Sequence, residues 1–97
     1  MTAYVVFTRE ITTDQAELDI YTPLAGAAGK NHPLTALALY GKHEVLEGPP
    51  IEGAVILSFP TTAEAHAWYD SPAYQAAREH RLKGSTYRVF IVDGLDA

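Results

Sequence analysis

Phe59 to Gly84 reads FPTTAEAHAWYDSPAYQAAREHRLKG. The stretch leaves a strand, enters a helix and breaks that helix midway. Pro60 follows the strand-like run Ala54–Phe59 and ends its ladder, because proline has no N–H to donate. Thr61 and Glu64 have the capping-box spacing, in which the Thr hydroxyl meets the Glu64 N–H and the Glu carboxylate reaches back. Ala63, Ala65 and Ala67 favour helix, and Ala65, Trp68 and Tyr69 fall on one helical face. Ser71 precedes Pro72, and the residue before a proline is pushed out of the α region. Asp70 or Ser71 therefore caps a second helical piece with Pro72 at its first position. That piece is predicted from Ala73 to about Lys83, closed by Gly84, with Glu79 and Lys83 paired in the favourable order.

Upstream, Ala3 to Ile11 is strand-like. Its continuous apolar run Tyr4-Val5-Val6-Phe7 predicts a central strand covered on both faces. Thr13 or Asp14 starts a helix with Glu17 in its first turn, and Leu18, Tyr21 and Ala25 form its apolar stripe. Pro23 predicts a kink or break in that helix, and Gly26 and Gly29 its end. Leu34 to Glu47 reads as a long extended segment bent at Gly41, with His43 and Val45 on one face. Gly48 to Gly53 is a turn, Val55 to Phe59 an apolar strand, and Thr86 to Asp93 the last strand. The resulting order is β-α-β-β-α-β, the split βαβ or ferredoxin-like arrangement of the α+β class. Its antiparallel sheet holds the first and third strands at the centre and both helices on one face. Strands one, three and four are apolar on both sides, yet helices cover only one. A second copy of the sheet is expected on the other side, giving a homodimer through the sheet faces and a dimeric α+β barrel.

The 97 residues, 1–97, form one domain. A chain of this length buries only roughly 60–65% of its unfolded surface, so its core is thin. It has no cysteine, which removes disulfides and thiolate metal sites and fits a cytoplasmic protein. The formal charge of −5 argues against nucleic acid, whose phosphates need Lys and Arg. No apolar run approaches the roughly 20 residues that span a bilayer, and the N-terminus lacks the basic region of a signal peptide. No membrane association is expected.

The segment FPTTAEAHAWYDSPAYQAAREHR resembles the FPS-x-E-x-A-x-x-W-Y-x-S-P-x-Y signature of the family known as domain of unknown function 1330. That family is similar to the dimeric α+β barrel superfamily. Ala3-Tyr4-Val5-Val6-Phe7, Tyr21, Tyr40-Gly41, Glu47-Gly48 and Asp93-Gly94 extend the likeness over essentially the whole chain. Gly29-Lys30-Asn31-His32-Pro33 departs from it, standing where many members carry a glycine-rich approach to the second strand. The resemblance implies the ferredoxin-like fold and leaves the activity open. Superfamily relatives include cofactor-independent monooxygenases and isomerases of small aromatic or lactone substrates, so by analogy no cofactor is expected.

The residues that bear chemistry converge between helices and sheet. Tyr21, Tyr40, Trp68, Tyr69, Arg78 and Arg81 are the candidate substrate-binding residues, and His80 and His32 the candidate catalytic ones. Tyr74, Arg78 and Arg81 share a helical stripe. That stripe reads as a solvated basic face, as a clamp in which Arg78 or Arg81 holds a ligand carboxylate, or as ion pairs to Glu44 or Glu47. His32, in a loop, or His80 has the side chain suited to a general base near neutral pH. Trp68 packs in the core or lines the site, and Asp70 and Ser71 read as caps. No histidine pair or His-Glu run has ligand spacing, so no metal site is expected. No phosphate-cradling glycine loop or nucleophile elbow is present. The function this supports is binding or transformation of a small anionic or phenolic molecule. Its alternative is a non-catalytic binding or assembly module.

Overall fold

The computed structural model describes residues 1–95. The elements are β1 (Ala3–Thr12), α1 (Gln15–Ala28), β2 (Thr35–Leu39), β3 (Gly53–Phe59), α2 (Thr62–Tyr69), α3 (Pro72–Gly84) and β4 (Ser85–Asp93). The strands form one sheet in the order β2-β3-β1-β4, and all three pairings are antiparallel. This is the ferredoxin-like α+β arrangement, with β1 and β3 at the centre and the second helix split into α2 and α3.

The split comes from Ser71. Its extended backbone (φ −62°, ψ 146°) ends one helix and begins the next. Its hydroxyl donates to the Trp68 carbonyl at 2.7 Å and accepts from the Tyr74 N–H at 3.3 Å. Thr61 caps α2 by accepting from the Glu64 N–H at 3.1 Å, and Asp14 caps α1 by accepting from Ala16 N–H at 3.1 Å. Gly84, the last residue of α3, meets the start of α1. Its carbonyl accepts from the Thr13 and Asp14 N–H groups at 2.8 and 3.0 Å, and a Cβ there would lie 2.7 Å from the Asp14 carbonyl oxygen.

Two expectations fail. Of the kink or break expected at Pro23, the break does not occur: α1 runs on to Ala28. Proline removes one N–H from the helix, but Pro23 and Asp19, whose carbonyl loses that donor, are both exposed, so water can take its place. Gly26 accordingly lies inside α1, and Gly29 caps it. The long extended segment after Leu34 is short: β2 stops at Leu39. Tyr40 takes φ +52°, the left-handed region, and turns the chain out of the sheet. His43 therefore lies in an irregular segment, where its Nε2 is 3.0 Å from the Ile51 carbonyl, and not on a sheet face.

The core sits between the helices and one sheet face. Ala3, Val5 and Phe7 of β1 and Val55, Leu57 and Phe59 of β3 are buried there, with Leu18 and Tyr21 of α1, Trp68 of α2, and Tyr74 and Ala77 of α3. Trp68 is its hub, with ring centroids 4.3 Å from Tyr74, 5.5 Å from Phe59 and 6.2 Å from Phe7. The molecule measures 39 × 35 × 17 Å, two layers thick, so the other sheet face is on the surface. The register puts Val6 opposite Ile56 and Phe90, and Tyr4 opposite Val92, on that face. Phe90 and Val92 are each 48% exposed. Among the described residues, no helix is long and apolar enough to cross a membrane.

Candidate functional site

The layers do not close completely. A cavity of about 640 Å³ lies between α1, α2 and the β2-β3-β1 part of the sheet, within the roughly 300–1,000 Å³ usual for small-molecule sites. Leu34, Ala36, Val55, Leu57 and Ala25 make most of its wall apolar, while Tyr21, Tyr40, Trp68 and Lys30 carry its polar atoms. Alternation positions the sheet residues, since Phe7, Val55 and Leu57 belong to the inward-facing rows. Gly26 and Gly29 keep the wall open on the α1 side. Apolar walls with few polar groups fit a mostly apolar ligand whose orientation is set by those groups.

The tyrosine hydroxyls form one polar end, close enough for Tyr40 to act on Tyr21 and Tyr74 on Tyr40. The Tyr21 and Tyr74 hydroxyls are 2.8 Å apart and buried. The Tyr40 and Tyr87 hydroxyls are 2.6 Å apart. Burial, then the neighbouring Tyr74 hydroxyl, pushes the Tyr21 hydroxyl far above the ordinary tyrosine value. Burial and the bond to Tyr87 do the same to Tyr40, and burial raises Tyr74. All three are therefore neutral donors at physiological pH. Tyr40 reaches this end because Gly53 leaves room for its ring: a Cβ at Gly53 would lie 2.7 Å from Tyr40 Cδ1. The Arg9 guanidinium sits 5.0 Å from the Tyr40 ring centroid.

Arg81 is the unusual residue of the cluster. It is only 4% exposed, with its guanidinium 5.2 Å from the Tyr87 ring centroid and 5.9 Å from that of Phe7. Its Nε has no hydrogen-bond partner among the described residues. The ion pairs of the described residues join Arg9 to Glu52, His66 to Asp70 and His80 to Glu17, and none includes Arg81. Burying an ion costs several kcal/mol, and a cation over a ring returns about 0.5–2 kcal/mol. The two rings leave the charge incompletely compensated.

The residues singled out from the sequence divide by place. Tyr21, Tyr40 and Trp68 line the cavity. Arg81 lies behind its polar end, buried and so not part of a solvated face, and without an ion pair to Glu44 or Glu47 among the described residues. His32 sits in the loop between the lining residues Lys30 and Leu34, with its N–H bonded to the Gly29 carbonyl at 3.1 Å. Arg78, Tyr69 and His80 are not among the lining residues. Arg78 donates to the Tyr69 hydroxyl at 2.8 Å, and His80 Nδ1 is 2.7 Å from Glu17 Oε2. Tyr87, Arg9 and Lys30 escaped the sequence reading. For Arg9 a signal existed: it shares the inward parity of Val5 and Phe7, where a charge is out of pattern. Among the described residues no cluster of His, Cys, Asp and Glu could hold a metal ion.

Comparison with known proteins agrees with this architecture. The model of the family "Domain of unknown function (DUF1330)" matches residues 2–95, so the chain belongs to that family. Among curated proteins, none matches it by sequence. A protein of unknown function from Rhodopseudomonas palustris superposes with TM-score 0.75 at 14% identity, over 98% of this chain and 84% of the other. SnoaB, a cofactor-independent oxygenase from Streptomyces nogalater, superposes with TM-score 0.59 at 11% identity, over 99% and 94%. A Deinococcus radiodurans protein assigned as an antibiotic biosynthesis monooxygenase gives 0.56 at 17%, over 100% and 95%. At these identities the likeness establishes a shared fold.

Proposed function

We propose that this chain forms a cytoplasmic homodimer through its outer sheet faces and binds a small aromatic molecule, bearing a phenolic or anionic oxygen, in the helix–sheet cavity. One observation carries the reading: an apolar cavity ends against neutral tyrosine donors backed by a buried arginine that has no counter-ion among the described residues. Tyr21, Tyr40 and Trp68 contact the ligand, Arg81 supplies positive potential from behind, and His32 at the mouth accepts a proton. His80, held by Glu17, and Arg78, held by Tyr69, support α3 from outside the cavity in this reading. The description of SnoaB as a cofactor-independent oxygenase supports chemistry without a resident cofactor on this fold, of monooxygenase or isomerase type.

A second reading, binding or assembly without chemistry, draws on one fact: among the described residues, none that lines the cavity is a histidine or a carboxylate. Turnover of a bound phenol, followed by product analysis with and without His32→Ala, separates the two.

Trp68 is the only tryptophan and lines the cavity, so its fluorescence reports on occupancy. Titration with substituted phenols and aromatic carboxylates is expected to change the emission saturably and raise the melting temperature. Ala25→Phe, which fills the cavity from α1, is expected to abolish both effects while the fold persists. Absence of any saturable change up to about millimolar ligand counts against the cavity as a binding site.

A further inference from the structure

We infer that the ligand is held as a phenolate or enolate, a single anionic oxygen received by the Tyr21 hydroxyl with Tyr74 and Arg81 aligned behind it. The inference rests on the cavity reading and narrows it to ionisable phenols and enols. Tyr21 lines the cavity, and its oxygen lies 2.8 Å from that of Tyr74. Either hydroxyl can donate in that pair. When Tyr21 turns its proton to a ligand oxygen, Tyr74 donates to Tyr21 in its place, so no hydroxyl is left without an acceptor. The positive charge of Arg81 acts on both hydroxyls, pulling them down against the effect of burial. A guanidinium that polarises neutral donors in a low-dielectric site also favours the anion those donors meet.

The geometry selects one anionic oxygen over a carboxylate. Arg81 recognises carboxylates through a planar fork of two donors, but Arg81 is not a lining residue. Tyr21 and Tyr40 each offer the cavity a hydroxyl whose partner, Tyr74 or Tyr87, can donate in its place, and the lining Trp68 Nε1–H is buried without a hydrogen-bond partner among the described residues. Separate one-proton donors, with the guanidinium fork outside the cavity, suit one oxygen better than a carboxylate, and the apolar walls suit the ring that carries it. On binding, the phenol O–H breaks heterolytically: the electron pair stays on the ring oxygen and the proton passes to bulk solvent through the mouth. No oxidant or reductant enters this step.

The probe is 4-nitrophenol, whose phenolate absorbs in the visible and whose phenol does not. With the full chain, melting-temperature shifts establish binding and absorbance against pH gives the ionisation constant of the bound probe. The bound phenol is expected to be more acidic than in water by at least about tenfold. Arg81→Lys is expected to keep most of that shift, and Arg81→Met to abolish or invert it. Lys83→Met, which removes an exposed charge from the same helix, is expected to leave it unchanged. Tyr21→Phe keeps the arginine and removes the donor. It is expected to reduce the shift, and it carries the test by itself where Arg81→Met does not fold by circular dichroism. Benzoate is expected to compete at least tenfold more weakly than a phenol of equal size at a pH where both are ionised. A bound probe that ionises as it does in water overturns this inference and leaves the cavity reading standing. Failure of every phenol and carboxylate to bind overturns both.

Discussion

Tyr74 joins the core to the site. It is fully buried, packs 4.3 Å from Trp68 and shares its hydroxyl with Tyr21. Tyr74→Phe keeps the ring contacts but leaves the buried Tyr21 hydroxyl unpartnered. A buried polar group without a partner costs about 1–3 kcal/mol, so urea unfolding of this variant is expected to show a loss in that range. A Tyr21→Phe/Tyr74→Phe double variant, which removes both partners, is expected to lose less than the sum of the singles. Gly84 is constrained differently. Its missing side chain lets α3 touch the start of α1, where an added Cβ would lie 2.7 Å from backbone oxygen and 2.9 Å from Glu17 Cβ. Backbone cannot swing aside, so Gly84→Ala is expected to lower stability by about 1–3 kcal/mol, again read from urea unfolding. An unchanged midpoint would show that the α1–α3 joint yields.

Two segments decide the shape of the cavity. The break at Ser71 sets the angle between α2, which carries Trp68, and α3, which carries Tyr74 and Arg81. Ser71→Ala loses bonds to both helices and is expected to cost about 1 kcal/mol and to broaden Trp68 emission. The segment between β2 and β3 is tied down at its end by Glu52, whose carboxylate accepts from the Thr12 N–H at 3.1 Å and lies 3.5 Å from Arg9 Nε. The bonds from Thr12 hold the Glu52 carboxyl below its usual value. A carboxyl with a lowered folded-state pKa contributes stability above its unfolded value and loses it as pH falls through the folded value. Amide exchange in the segment is therefore expected to quicken below the ordinary carboxyl range in the wild type. In Glu52→Gln it is expected to be fast already at neutral pH. Identical pH dependence in the two proteins would show that the anchor lies elsewhere.

At the scale of the whole molecule the outer sheet face sets the expected assembly. Phe90 and Val92 stand 48% exposed beside Val6 and Ile56 in a sheet only two layers deep. A stable interface buries about 800 Å² on each partner, and this face is the broad apolar surface available to do so. Light scattering is expected to give a mass about twice 10.6 kDa. Phe90→Arg, which places a charge in the middle of the face, is expected to give the monomer mass and a lower melting temperature. A wild-type monomer at micromolar concentration would remove the dimer from the proposed function and leave the cavity, which opens on the opposite side of the sheet.

The element order, the caps at Asp14, Thr61 and Ser71, the central strands and the one-sided helices were all readable from the chain itself, because the periods of helix and strand and the chemistry of caps are local properties. The break read at Pro23 and the strand read beyond Leu39 did not form, because an exposed turn tolerates the missing N–H and a left-handed Tyr40 takes the chain out of the sheet. The site was legible only in part. Tyr21, Tyr40 and Trp68 were picked out as polar-tipped aromatics on elements that meet. The burial of Arg81 and the Tyr40–Tyr87 contact were decided by tertiary structure alone. Those features join residues tens of positions apart, such as Tyr21 and Tyr74 at a separation of 53. No local pattern specifies which distant side chains share an enclosed space, or which charge is left there without a partner.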